Sequence, residues 1–380
     1  MIKKNRVLKT FLEIARIPGL SKQEGRIAAE LAKRLKRLGV KVGFDRALAG
    51  EAEVGNLIGH LQGNTSGPPL LLNAHMDTVG PIENWGFRRR GDWLESKGKS
   101  ILGADDRSGV AVILEVVQHL IESRQTRPDL EIVLTIAEEI GLMGAKALDC
   151  SAVKSRYGIV LDSDSPLDLT VAAPEAYKLT FRVHGKSAHA GVAPESGLNA
   201  IAIAARAIGR MRLGRIDFET TANLGIISGG NAANIVPDLV EVRGEARSHD
   251  RKKLQKQIAH MRGVFKQAVM EARSRKFPGL PRLEEEIVFD YPVMKVSPDS
   301  VLLKLFRAAA KGLGYEIVTK VGGGGSDANI FNAAGIECVI LGSGMDRVHT
   351  TEERLNLGHL YLSAQMLARV IELYPSRNRR

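Results

Sequence analysis

Imidazole and carboxylate side chains follow short apolar runs at several places in the sequence, or precede a helical pattern. These groups are His75 and Asp77 after residues 70–73, Glu138 and Glu139 after 131–137, Asp162 after 158–161, His349 after 338–341, and Asp105 with Asp106 before 110–120. Such side chains are the ligands that zinc and similar cations accept. Taken singly, each is typical of a turn, a solvated pair or a helix cap. Their recurrence at the ends of apolar runs indicates a shared site.

The apolar runs also predict how these groups are brought together. Residues 70–73, 131–137 and 158–161 have the length of buried strands, and residues 110–120 have apolar side chains at helical spacing. This alternation predicts an α/β fold, a mostly parallel sheet with helices on both faces. In such sheets functional groups gather at the carboxyl ends of the strands. A pair of divalent metal ions at that edge would account for all of these residues together.

Two local spacings fit such a site. His75 and Asp77 are two residues apart on an extended segment, so their side chains point the same way. Asp77 could therefore accept the second N–H of the His75 imidazole and fix its orientation. Glu138 and Glu139 are adjacent, so their side chains diverge, and one could bind metal while the other acts as a general base.

The pattern of elements changes near residue 176. Strand-like runs at 178–183, 222–227, 239–245 and 286–291 alternate with helical patterns at 198–211 and 251–273. The order β-α-β-β-α-β is typical of a ferredoxin-like α+β domain. We therefore predict a catalytic domain formed by residues 1–175 and 292–380, into which residues 176–291 are inserted as a second domain.

Four segments carry a resemblance to a known family. They are His75-Met76-Asp77-Thr78-Val79, Gly103-Ala104-Asp105-Asp106-Arg107-Ser108-Gly109, Ala137-Glu138-Glu139-Ile140-Gly141 and Leu161-Asp162. In type and order they resemble the motifs of the dizinc exopeptidase and aminoacylase family, which includes peptidase T, the glutamate carboxypeptidases and acetylornithine deacetylase. The resemblance extends over essentially the whole chain. The run Gly-Gly-Gly-Gly-Ser-Asp-Ala-Asn at 322–329 makes the peptidase T-like tripeptidases the most similar branch.

The resemblance implies a role for each motif residue. His75 and Asp162 would bind one zinc ion, Glu139 and His349 would bind a second, and Asp105 would bridge the two. Glu138 would act as the general base. Asp77 would support His75. Cobalt or manganese would suit the same ligands. The implied chemistry is metal-assisted hydrolysis of an amide bond, in which Glu138 takes a proton from the attacking water and passes it to the leaving amine.

The resemblance also implies that the inserted domain, residues 176–291, acts as a lid and dimerisation domain. His189 matches a histidine that, in dimeric members, enters the active site of the neighbouring subunit and polarises the scissile carbonyl. This match implies a homodimer formed through the inserted domain. Asn234 and Arg247 match positions that contact substrate, and a guanidinium can pair with a substrate carboxylate through two hydrogen bonds. The alternative for Arg247 is an ion pair on the surface of a strand.

The glycine run at 322–325 could be mistaken for a phosphate-binding loop. A P-loop requires Lys after its last glycine, whereas Ser326 follows here, so nucleotide binding is not expected. Ser326 or Asp327 is expected to cap a helix that begins near Ala328. Backbone N–H groups around Gly324 and Ser326 would then remain free to contact the substrate.

Composition excludes several other classes of protein. The formal charge is +11, but Lys and Arg are spread along helical patterns such as 251–256, and the aromatic share is only 5%, so nucleic-acid binding is not expected. No apolar stretch approaches the length of a membrane-spanning helix. The two cysteines, Cys150 and Cys338, are far apart and are expected to be reduced. These features favour a cytoplasmic protein without a nucleic-acid or membrane partner.

Three functions are compatible with the sequence. The first is a peptidase that releases N-terminal residues from short peptides, of the tripeptidase or aminopeptidase type. The second uses the same chemistry on other substrates, as an N-acyl-amino-acid deacylase or a carboxypeptidase. The third is a non-catalytic protein that binds metal or peptide on the same scaffold. The presence of Glu138 together with all five expected metal ligands argues against the third.

Overall fold

The computed structural model describes residues 1–375 and 377–378 of the chain. The chain divides into two compact units. The first comprises Met1–Ala173 and the segment from Met294 onward, and the second comprises Pro174–Val293. The predicted boundaries at residues 175 and 291 thus lie close to the observed limits of the second unit. Each unit has its own cluster of buried apolar side chains.

The helices pack apolar side chains against these clusters. In chain order they are α1 Lys4–Ala15, α2 Gly25–Arg37, α3 Ala104–Glu122, α4 Met143–Ala147, α5 Ala200–Gly209, α6 Arg251–Glu271, α7 Val301–Gly312, α8 Asp327–Ala333 and α9 Leu357–Leu373. Helix α2, for example, buries Ile27, Leu31 and Leu35, which recur at the spacing of one helical face. Among the residues that the structure describes, no helix combines the length and the apolar character needed to cross a membrane.

The strands form one large sheet and three smaller ones. In chain order they are β1 Lys41–Phe44, β2 Leu57–Leu61, β3 Thr65–Ser66, β4 Leu70–His75, β5 Phe87–Arg90, β6 Trp93–Ser96, β7 Leu130–Thr135, β8 Tyr157–Ser163, β9 Asp168–Ala173, β10 Glu175–His184, β11 Gly214–Arg215, β12 Thr220–Gly229, β13 Leu239–Ser248, β14 Arg282–Tyr291, β15 Met294–Lys295, β16 Val318–Val321, β17 Glu337–Gly342, β18 Met345–Asp346, β19 Arg354–Asn356 and β20 Arg377–Asn378. The sheet β18-β19-β6-β5 was not expected from the sequence.

The large sheet of the first unit has the strand order β1-β2-β7-β4-β8-β17-β9-β15, with β16 beside β9. Its central strands β7, β4, β8 and β17 are parallel neighbours, whereas β1, β2 and β15 pair antiparallel with their neighbours. All six residues of β4 are buried, as expected for a strand covered on both faces. The predicted α/β fold with a largely parallel central sheet is therefore confirmed.

Helix α3 packs closely against the sheet and carries one of the predicted ligands at its start. A Cβ atom at Gly109 would lie only 2.3 Å from the carbonyl oxygen of Leu161 in β8, so glycine is needed for this approach. The sequence prediction placed the end of β7 at residue 137, but β7 ends at Thr135. Ala137 has a positive φ of 51°, which turns the chain out of the extended conformation before Glu138.

The second unit contains the expected β-α-β-β-α-β order, formed by β10, α5, β12, β13, α6 and β14, with the short strand β11 in addition. Its sheet has the order β11-β12-β13-β10-β14 and is antiparallel throughout. Phe181 of β10 stacks on Phe265 of α6 with ring centroids 4.2 Å apart, which joins the sheet to the helix in the core. Asp250 caps α6 by accepting the N–H of Lys253.

Candidate active site

The parallel strands β7, β4, β8 and β17 end at one edge of the large sheet, and predicted ligands lie at or beyond these ends. His75 is the last residue of β4, and Asp162 lies one residue before the end of β8. Glu138 and Glu139 follow β7 after a turn, and His349 lies in the loop between β18 and β19. The structure thus gathers residues from four distant parts of the sequence at this edge.

Asp105 lies between the two histidines and contacts each through a different oxygen. Its Oδ1 atom lies 3.0 Å from Nε2 of His75, and its Oδ2 atom lies 3.2 Å from Nε2 of His349. The same His349 nitrogen lies 2.8 Å from Oε2 of Glu139. Hydrogen bonds to Asp105 and Glu139 raise the pKa of His349 to about 10. Asp105 has the arrangement expected of a carboxylate that bridges two centres.

The side chains of this cluster offer the donor atoms that a metal ion binds. One ligand atom from each of His75, Asp105 and Glu139 lies within 4.8 Å of the others. The second oxygen of Glu139, Oε1, is buried and has no hydrogen-bond partner within the described part of the chain. A buried carboxylate oxygen without a donor is costly unless a cation meets it. The residues therefore fit a divalent metal ion bound by imidazole and carboxylate.

The buried acids beside this cluster have strongly perturbed proton affinities. Burial, followed by the nearby Asp105 carboxylate, raises the pKa of Asp162 to about 8. Burial raises the pKa of Glu138 well above its usual value, although His75 opposes this effect. Both shifts have the direction expected when several carboxylates are buried together without enough positive charge.

Asp77 organises the residues behind the cluster. Its Oδ1 lies 3.3 Å from Nδ1 of His75, the pairing that the sequence predicts, and its backbone carbonyl oxygen lies 3.1 Å from the same nitrogen. The Asp77 carboxylate also accepts the backbone N–H groups of Glu138 at 3.0 Å and Glu139 at 3.2 Å, and the hydroxyl of Ser21 at 2.6 Å. One carboxylate therefore orients the imidazole and the turn that carries both glutamates.

Asp327 is a site residue that the sequence analysis considered only as a helix cap. It is buried at the first position of α8, where it accepts hydrogen bonds from the Thr135 hydroxyl and from Asn73 Nδ2. Burial raises the pKa of Asp327 to about 6, against the lowering effect of the Thr135 hydrogen bond. Asp327 thereby ties the end of the glycine run to β4 and β7. Its position next to Ser326 in the 322–329 motif was the available signal.

A cavity of about 330 Å³ adjoins the cluster within the first unit. The lining residues are Asp105, Asp162, Ser163, Asp164, Thr170, Lys320, Gly322, Gly323, Gly324, Gly325, Ser326, Ile340, Met345, Asp346, Arg347 and Val348. The predicted substrate contacts Gly324 and Ser326 are therefore placed beside predicted metal ligands. Ser326 is the N-cap residue of α8, as predicted. Its backbone N–H donates to Oδ1 of Asn329 at 3.0 Å, so the expectation that this N–H group remains free for a substrate is wrong.

His189 and Asn234 lie in the second unit, where both are exposed and close in the fold. The backbone N–H of Ala190 donates to the carbonyl oxygen of Asn234 at 2.9 Å. Nδ1 of His189 accepts the N–H groups of Gly191 and Val192, each at 3.2 Å. Because Nδ1 is an acceptor, a neutral His189 carries its proton on Nε2 and presents it as a donor.

Arg247 lies on β13 of the second unit and is half-buried. Its Nη2 atom donates to Oε2 of Glu245 at 2.8 Å, so the ion pair considered in the sequence analysis is present. Nε of Arg247 is buried without a hydrogen-bond partner among the described residues. The guanidinium thus retains an unused donor beside its ion pair.

Replacing Asp77 with Asn tests its support of the cluster. An amide has only one acceptor oxygen, so it cannot meet the imidazole and both backbone N–H groups together. We expect Asp77→Asn to weaken Zn²⁺ binding about 10–100-fold, measured by calorimetric titration of the metal-free protein. Glu83→Gln, which alters an exposed carboxylate, serves as the control. Equal Zn²⁺ affinity in Asp77→Asn and the wild type would contradict this role.

Comparison with known proteins places the chain in a family. Residues 71–373 match the model of peptidase family M20/M25/M40. The uncharacterized protein YqjE of Bacillus subtilis (strain 168) is 37% identical over 375 residues, which cover 98% of this chain and 99% of the relative.

Two crystal structures are similar over nearly the full length. A tripeptidase from Staphylococcus aureus has a TM-score of 0.90 and 36% identity, covering 98% of this chain and 99% of its own. The aminopeptidase PepT from Bacillus cereus ATCC 10987 has a TM-score of 0.84 and 37% identity, covering 98% of each chain. From its sequence match, its fold and these relatives, the chain belongs to peptidase family M20/M25/M40 and is a peptidase-type hydrolase.

Proposed function

We propose that this peptidase is a dinuclear metal enzyme that releases the N-terminal residue from short peptides. The observation that carries the proposal is the position of Asp105, whose two oxygens face His75 and His349 separately at 3.0 and 3.2 Å. A carboxylate in this position suits a bridge between two cations. The similar tripeptidase and aminopeptidase support peptides as the substrate class.

The ligand sets are those that the family resemblance implies, and the contacts of His349 with Asp105 and Glu139 are compatible with them. His75 and Asp162 would hold one ion, Glu139 and His349 the second, and Asp105 both. Zinc best suits this mixture of imidazole and carboxylate, and cobalt or manganese would fit the same donors. When bound, the ions would supply Lewis-acid chemistry, making water more acidic and the scissile carbonyl more electrophilic.

Glu138 would act as the general base. Its backbone is held by Asp77 at 3.0 Å, and its side chain is buried beside Asp162. Burial raises the pKa of Glu138 above its usual value, which makes its carboxylate a stronger base. The carboxylate would remove a proton from the attacking water and deliver it to the amine of the leaving peptide.

The second unit would contribute groups that act on the substrate. The proton on Nε2 of His189, which follows from the two N–H groups donated to Nδ1, makes this nitrogen a donor for the developing oxyanion. Loss of such a donor typically raises the barrier by about 2.7–4 kcal/mol. Arg247 would pair with a substrate carboxylate through its unused donor, and Asn234 would contact the peptide backbone.

The cavity beside the cluster favours a peptide over a blocked amino acid. Its lining includes Asp164, whose two oxygens lie 2.8 Å from Nζ of Lys320. Both side chains are partly exposed, so charges of either sign are available to a ligand. A free tripeptide carries an ammonium and a carboxylate at neutral pH, whereas an N-acyl amino acid lacks the ammonium. A cavity lined by both a positive and a negative side chain therefore suits a free tripeptide.

Glu138→Gln tests the general base. The amide cannot accept the proton, so we expect kcat to fall about 10²–10⁴-fold while bound metal, measured by mass spectrometry of the elements, stays at the wild-type level. Glu316→Gln, on an exposed residue, is the control and keeps wild-type kcat. Wild-type turnover by Glu138→Gln would remove Glu138 from this role.

A substrate panel tests the reaction itself. Free-amine tripeptides, N-acetyl tripeptides and N-acetyl amino acids are compared at one metal concentration, with products identified by mass spectrometry. We expect release of the N-terminal residue from free tripeptides only. A chelator should abolish this activity, and Zn²⁺, Co²⁺ or Mn²⁺ should restore it, because the ligands hold no catalytic power alone. Preference for the N-acetyl substrates would instead favour the deacylase or carboxypeptidase alternatives.

The proposal includes a homodimer formed through the second unit. Strand β11 pairs with β12 only at Thr221 and Ala222, and no other described strand covers the remaining outer edge of β12. Ile226 and Ile227 on that strand are 55% and 59% exposed. An uncovered edge with exposed apolar residues suits pairing with a second copy.

Sedimentation velocity tests this assembly. We expect the wild type to sediment as a dimer and Ile227→Lys to shift toward monomer, because a charge would be buried in the interface. Met270→Lys, on an exposed residue of α6 in the same unit, should remain dimeric. A monomeric wild type at micromolar concentration would contradict the proposed dimer.

A further inference from the structure

Glu353 is a buried carboxylate to which the mechanism above assigns no role. Only 1% of its surface is exposed. Its Oε2 atom accepts the backbone N–H groups of Leu102 and Gly103, each at 2.7 Å, and its Oε1 atom accepts the N–H of Asp105 at 3.0 Å. All three donors belong to the segment that carries Asp105 to the metal cluster.

That segment lacks the regular hydrogen bonds that would otherwise hold it. Gly103 has a left-handed φ of 75°, and Asp105 and Asp106 have non-helical dihedral angles at the start of α3. The first N–H groups of a helix have no partner within the helix. Glu353 supplies an acceptor for the N–H of Asp105 and for the two N–H groups that precede the helix, and these bonds hold the segment in place.

Glu353 is itself part of the loop that carries His349, and its backbone is hydrogen-bonded on both sides. It follows His349 by four residues, and its own N–H donates to the carbonyl oxygen of Thr350 at 3.1 Å. The carbonyl oxygen of Glu353 accepts the N–H of Ser96, the last residue of β6, at 2.9 Å. The residue therefore links the His349 loop, the small sheet and the Asp105 segment.

We infer that Glu353 is a positioning residue that sets the separation between Asp105 and His349, and hence the binding of the second metal ion. This inference rests on the proposed dinuclear site. Asp105 lies at the start of α3 and His349 lies in the loop between β18 and β19, with no strand pairing between these segments, yet their side chains must meet at 3.2 Å. The Glu353 carboxylate links the two segments directly through its hydrogen bonds.

The neighbouring Glu352 offers a matched comparison. It lies in the same loop and carries the same side chain, but 74% of that side chain is exposed and it pairs with Arg347 at 3.0 Å. Glu353→Gln keeps one acceptor oxygen. Its NH₂ group faces a backbone N–H, so two donors meet and no hydrogen bond forms there. A Gln at position 352 loses only an exposed ion pair, which is worth little.

The test is a titration of metal-free protein with Co²⁺ alone, followed by visible absorption and calorimetry. The wild type should bind two ions, and Glu353→Gln should bind the second at least about 10-fold more weakly, with a changed Co²⁺ spectrum. Glu352→Gln should match the wild type. Excess Co²⁺ should restore the second ion in Glu353→Gln, because the ligands themselves are intact.

The outcomes separate the two proposals. If Glu353→Gln melts at a lower temperature but binds Co²⁺ as the wild type does, Glu353 is only structural and the inference fails. If the wild type binds no Co²⁺ or a single ion, the dinuclear site itself fails. If Glu353→Gln does not fold, Glu353→Asp, which keeps the charge on a shorter side chain, is titrated in its place. Wild-type Co²⁺ binding by Glu353→Asp would then overturn the inference.

Discussion

The burial of several carboxylates at one sheet edge is the constraint on which the rest of the structure depends. Asp105, Asp162, Glu138 and Glu139 converge there, and burial, together with the neighbouring charge of Asp105, raises the pKa of Asp162 to about 8. Moving an ionised carboxylate out of water without a compensating charge is very costly. Divalent cations would offset this cost. The group of buried carboxylates, which is unfavourable without a cation, would then bind cations strongly.

A second layer of buried polar residues makes that arrangement possible. Asp77 holds the turn of Glu138 and Glu139, while Glu353 holds the segment that begins α3. Arg107 is also fully buried, and its guanidinium nitrogens have no hydrogen-bond partner among residues 1–375. Burial lowers the pKa of Arg107 to about 10, and the charge of Asp77 acts in the opposite direction. Arg107 thus supplies positive charge behind the ligands without occupying a ligand position.

In the proposed mechanism the first unit binds the metal ions, and the second unit supplies side chains that contact the substrate. In the first unit, rigid strand ends and buried hydrogen bonds define the ligands, as a site of fixed geometry requires. In the second unit His189 and Asn234 lie on exposed loops, and local hydrogen bonds orient the His189 ring. Side chains on exposed loops suit groups that must meet a substrate only when it binds.

The sequence by itself determined the class of fold, and it indicated which residues are candidates for the chemistry. Strand and helix periodicity predicted the parallel sheet. Residue type, together with position after a strand for His75 and Asp162 and before a helix for Asp105, pointed to these side chains, because these are local properties of the chain. Only the tertiary structure decided the contacts between distant segments. Glu353 meets Asp105 across 248 positions of sequence, and each oxygen of Asp105 faces a different histidine. Such contacts depend on how loops pack after the sheet has formed, and no local pattern encodes that packing.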